Sequence, residues 1–236
     1  MIDGRLLNEL HVMALAIAPE MAVSPLYVLS QPGELPAPKD TRGYCIGGPC
    51  APMRQYLKGK GDWRGPGPAI VFVKPDLTRE EAVVLFLHEL AHALPYSPPL
   101  PVVATTDDAL GADRDAMQSW CDNPEPDDAS RPQWIVGNHH QNFHRIALHL
   151  WWRAALLGEV VSFDGLCAGR HYDLSPPYMF WRAIGNEPVK MQHATFAEIL
   201  ASEPPKLFRD LWYENLAYWM SHHPDAAKGV AACHSV

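Results

Sequence analysis

The 236 residues are enough for one large domain, or for one domain with an appendage. Apolar residues make up 47% of the chain and aromatics 10%, so a core can be buried and global disorder is excluded. A net charge of −8 does not suit general binding to a phosphate backbone, and nucleic acid is not an expected partner.

Taken in chain order, the first element is an amphipathic helix with Leu6, Leu7, Leu10, Met13 and Ile17 on one face. A stretch rich in Pro and Gly follows from Ser24 to Gly67, with short strands expected at Leu26–Leu29 and Tyr44–Ile46. Ala69-Ile70-Val71-Phe72-Val73 is a β-branched, apolar run and reads as a strand. Thr78 stands three residues before Glu81, a capping box that opens a helix running to Leu94, where Pro95 stops it. The interior of that helix, Ala82 to Leu87, is apolar on nearly every face, which predicts a buried helix.

Residues 95–137 hold prolines and acids with little apolar periodicity, and read as a loop insertion. From Asn138 to Leu157 the pattern is helical again, with Phe143, Ile146, Leu150, Ala154 and Leu157 on one stripe and Gly158 as the stop. Further helices are expected at Leu174–Ile184, after the Thr195/Glu198 capping box, and at Lys206–Met220. No run of about 18 consecutive apolar residues occurs, so no membrane-spanning helix is expected. The cysteines, at 45, 50, 121, 167 and 233, are odd in number and spread out. That pattern points away from a disulfide framework and toward a reducing, cytoplasmic setting.

The polar residues inside the buried helix are His88, Glu89 and His92, in the pattern His-Glu-x-x-His. On a helix, His88 and His92 lie one turn apart on one face and can share a Zn²⁺. Glu89 is rotated about 100° away, so it can act on a water at the metal without being a ligand. Burying these three groups without partners would cost several kcal/mol, and metal coordination removes that cost for the histidines.

In the strand Ala69–Val73, the helix Thr78–Leu94 and a downstream histidine segment, the sequence resembles the zincin metallopeptidases. The resemblance implies an α+β fold: a small mixed sheet with an edge strand over the buried active-site helix, plus additional C-terminal helices. It implies that Ala69–Val73 rims the cleft and that its open edge pairs with an extended substrate. Residues 1–170 would form the metallopeptidase domain, interrupted by the 95–137 insertion, and 171–236 a helical extension packed on it.

A catalytic zinc usually takes three protein ligands and a water. Pro95 and Pro98 stand where metzincins place a Gly and a third His, so the third ligand is expected farther along. Asn138-His139-His140-Gln141-Asn142-Phe143-His144 carries three histidines in six residues. His139 shares the stripe of Phe143 and Ile146, and His139-x-x-x-Phe143 is similar to the third-ligand segment of SprT-like and related short zinc metallopeptidases. His139 is the preferred ligand, with His140, His144, Glu214 and Glu159 as alternatives. Tyr96, His140, His144 and Arg145 are the candidate oxyanion donors. The expected activity is zinc-dependent hydrolysis of peptide bonds with one Zn²⁺ per chain, Glu89 as general base and a peptide or protein as substrate. The alternatives are a non-catalytic zinc-containing peptide-binding module and a zinc hydrolase of a non-peptide substrate.

Overall fold

The computed structural model describes residues 2–35, 41–94, 141–161 and 187–210. The chain divides into two compact units, Met1–Pro124 with Thr195–Ala197, and Glu125–Ala194 with Glu198–Val236. Together the described elements make a mixed α+β protein with one small sheet and several helices.

The first unit opens with α1 (Gly4–Ile17), whose N-terminus is capped by the Asp3 carboxylate accepting from the Leu6 N–H at 2.8 Å. Leu6, Leu10, Met13, Ala14 and Ile17 are buried, so the expected stripe stands at four of its five positions, with Leu7 only half-buried and Ala14 added. A 3-10 turn, Pro19–Val23, leads into β1 (Tyr27–Ser30). Then come β2 (Gly43–Ile46), α2 (Ala51–Lys60), β3 (Ala69–Phe72) and α3 (Arg79–Ala93). The sheet order is β1-β3-β2, with β1 parallel and β2 antiparallel to β3.

The register sorts the side chains onto two faces. Tyr27, Ala69 and Ile46 lie in one row across the three strands, and Leu29, Val71 and Tyr44 in the next. This face packs with Met53 and Leu57 of α2. The opposite face, with Ile70, Phe72, Gly43 and Cys45, meets α3, while α1 packs on β1 and α3. The sheet is therefore covered on both sides, and the motif helix lies on the side away from α2.

Two findings depart from the sequence reading. The helix α2 was not expected within the Pro/Gly-rich stretch. It uses a proline in its first turn, a buried Met53/Leu57 pair one turn apart and Gly61 at φ 77° as its left-handed stop. Second, the strand at Ala69 has no open edge, because β3 is paired on both sides. All four of its residues are buried, as continuous apolar runs without alternation are when a strand sits in the middle of a sheet. Among the described residues, the open edge next to α3 belongs to β2. The capping box is present: the Thr78 hydroxyl accepts from the Glu81 N–H at 3.2 Å, and Glu81 accepts from the Thr78 N–H at 2.9 Å.

In the second unit, α4 (Gln141–Leu156) ends at Gly158, φ 90°, as the sequence predicts. It is followed by α5 (Glu187–Lys190). The helix Phe196–Ala201 starts directly after Thr195, and Phe196 and Phe208 are fully buried. The expected helix at Leu174–Ile184 and most of Lys206–Met220 fall outside the described residues. No helix among the described residues is long and apolar enough to cross a membrane.

One face of α4 carries charge inward. Arg145 is 1% exposed, and four of its five N–H groups are used on Glu187 and on the carbonyl and hydroxyl of Ser202. One turn on, His149 is fully buried, 4.0 Å from the Glu187 carboxylate, and among the described residues neither ring nitrogen has a hydrogen-bond partner. Burial, with Arg153 and Arg145 adding to it, pushes its pKa down to about 3. The folded value lies below the unfolded 6.5, so the unfolded chain binds the extra proton. Stability is lost as pH falls from about 6.5 toward 3. His149→Leu is therefore expected to move the acid unfolding midpoint, followed by far-UV circular dichroism, to lower pH. Coincident acid curves for the two proteins would contradict this.

Candidate metal and catalytic site

The motif residues sit in the last two turns of α3. His88 and His92 are half-buried and Glu89 is 7% exposed. The two imidazole centroids are 5.1 Å apart, with the rings inclined at 72°. Two imidazoles on one tetrahedral ion at Zn–N ~2.0–2.1 Å would have centroids about 5 Å apart, so the spacing fits a shared metal. Among the described residues no group of three or more His, Cys, Asp or Glu side chains is placed to hold a metal ion. In a metal site His88 and His92 would supply two donors, and a third would have to come from elsewhere.

Of the residues weighed for that third position, His139, His140 and Glu214 lie outside the described residues, as does Tyr96 among the oxyanion candidates. His144 belongs to the second unit, is buried, and meets the Phe143 ring edge-on at 5.5 Å. Glu159 is half-buried just beyond Gly158. Arg145 is committed to Glu187 and Ser202, so an oxyanion role is not open to it without breaking that cluster.

Glu89 faces β2. Burial pushes its pKa up to about 8, and the nearby Cys45 backbone N–H works more weakly the other way. The Cys45 thiol beside it is also held well above its usual range, by burial and by the Glu89 charge. Cys45 and Cys50 are both free and half-buried, in keeping with the turn between them being no disulfide. Sequence reasoning missed Cys45 as a neighbour of the motif, because pairing across a sheet leaves no mark in residue type. The short strand Tyr44–Ile46 beside the motif helix was the only available signal. No family model, curated protein or solved structure matches this chain.

Proposed function

We propose that this chain is a zincin-like, zinc-dependent peptidase. The observation that carries the reading is the His88/His92 ring pair at metal-sharing distance, with Glu89 between them in sequence and buried. His88, His92 and, as preferred third ligand, His139 would hold one Zn²⁺ per chain. That ion, when bound, acidifies a water and polarises a carbonyl as a Lewis acid.

The chain's own groups do the rest. Glu89 accepts a proton from the attacking water on a carboxylate oxygen and delivers it to the leaving amine. Its ionised form is the working form, and the positive charge of an ion held by His88 and His92 would favour it. An extended peptide pairs along the open edge of β2, which replaces Ala69–Val73 as the substrate-facing strand in this reading. Burial of Glu89 keeps bulk water from competing for the proton.

Zinc per chain, by elemental analysis, tests the reading. About one zinc is expected in the wild type and almost none in His88→Ala, with His139→Ala well below one. Unchanged zinc in His139→Ala would move the third ligand to His140 or Glu214. No zinc in the wild type, even after reconstitution, would end the peptidase reading.

A further inference from the structure

The chain is acidic as a whole, but its charge is unevenly laid out. Residues 51–68 hold four cationic side chains, Arg54, Lys58, Lys60 and Arg64, against one acid, Asp62, in a chain of net charge −8. All four cations are exposed. Among the described residues none of them lies within 4.0 Å of a carboxylate oxygen. Three other cations of this unit do find partners: Arg5 and Arg79 meet Glu9, and Arg42 meets Glu81.

Three of the four are laid on aromatic rings instead. The Lys58 ammonium is 5.9 Å from the Trp63 ring centre, Lys60 is 5.7 Å from that of Tyr56, and the Arg64 guanidinium is 5.1 Å from that of Tyr27. Arg64 is fixed further by donating to the Leu26 carbonyl at 2.6 Å. Tyr27 is buried in the core under α2, and Tyr56 and Trp63 pack against that core half-buried. The cations therefore rest on a rigid base. An ammonium over a ring keeps N–H groups for a further acceptor. A lysine loses rotamer freedom when it binds, and the ring contact removes part of that cost beforehand.

The helix dipole does not account for the whole set. Lys58 and Lys60 stand in the last turn of α2, where cations are favoured. Arg54 stands near its N-terminal end, where a carboxylate would be favoured, and Arg64 lies beyond the helix.

We propose that this surface, on the sheet face opposite α3, docks an acidic peptide segment of a partner protein, whose carboxylates meet Arg54, Lys58, Lys60 and Arg64. The rise from Arg54 to Lys60 is ~9 Å, about three residues of an extended chain, so a short run of Asp or Glu fits. The rings favour a peptide over single-stranded nucleic acid, which needs ring faces for its bases to stack on. Here Trp63 is stacked on Tyr27 at 5.8 Å and carries Lys58, and Tyr56 carries Lys60. The docking is independent of the peptidase reading, because no residue of the α3 motif takes part in it.

Fluorescence anisotropy of a labelled ten-residue peptide, glutamate alternating with serine, mixed with the full chain in low salt tests this without any need for turnover. The wild type is expected to bind it, and added salt to weaken the binding. Arg54→Gln/Lys58→Gln should weaken it about fivefold or more, the loss of two exposed ion pairs. Arg5→Gln/Lys74→Gln removes the same charge elsewhere and should change it less than about twofold. All four substituted side chains are exposed, so the fold is not at stake. No binding by the wild type, or an equal loss in both double variants, overturns the proposal. A thymidine decanucleotide that binds as tightly as the peptide also overturns it, in favour of nucleic acid.

Discussion

Glu89→Gln is expected to lower peptide hydrolysis by about 10²-fold or more while zinc stays at the wild-type level. Glutamine has the shape of glutamate, so the packing of α3 on β2 survives. What is lost is the proton acceptor. Assay of kcat beside zinc content reads the two separately, and full activity in the glutamine variant would sink the assignment. The same substitution has a signature in metal-free protein. The folded pKa of Glu89, about 8, lies above its usual 4.5, so the folded chain binds the extra proton. Stability that is fully present below pH 4.5 is lost as pH rises through 8. Denaturant unfolding of the metal-free wild type should weaken over that window, and Glu89→Gln should flatten the trend, gaining about 2 kcal/mol or more at pH 8. Parallel curves for the two proteins would show that this carboxyl is not the buried group described.

Gly67→Ala is expected to cost about 3 kcal/mol or more, a size reached only by strong clashes or lost core contacts. A Cβ at Gly67 would overlap the Pro25 carbonyl oxygen, well inside van der Waals contact, with the Pro25 carbonyl carbon 2.9 Å away. Both neighbours are backbone, so no side chain can swing aside. This contact seats the turn before β3 against the chain entering β1. The Tyr27 hydroxyl donates to the Gly65 carbonyl there at 2.7 Å, and the Tyr27 N–H donates to the Pro68 carbonyl at 3.0 Å. Gly59→Ala is the control. It lies inside α2 with nothing within 4 Å of its Cβ position, and should stabilise by about 0.5–1 kcal/mol. Thermal melts of both variants check the pair. Equal shifts would mean that lost chain freedom, and not the close approach, sets the value of Gly67.

The parts of the fold written in side-chain periodicity were legible. The stripe of α1, the capping box at Thr78 and Glu81 and the stop at Gly158 all stand where the residues put them. The helix α2 was hidden because prolines and glycines on both sides outweigh its one buried pair, Met53 and Leu57. The place of Ala69–Phe72 in the sheet was misjudged for a different reason. A strand apolar on both faces has to be covered on both faces, and that pattern belongs to a central strand. The edge fell instead to Gly43–Ile46, which has only four residues to announce itself. At the site, His88, Glu89 and His92 were readable as a spacing on a helix. The closeness of Cys45 to Glu89 was not, since a neighbouring backbone N–H leaves no mark in residue type.

An open sheet edge invites strands from other molecules, and proteins blunt such edges by keeping them short and by placing charge across them. The edge of β2 is only four residues long, so a strand of another molecule could add few ladder bonds there. The residues proposed to take an extended substrate are thus too few to make a strong seam between copies. So brief a strand suits a ligand that must leave better than a lasting assembly.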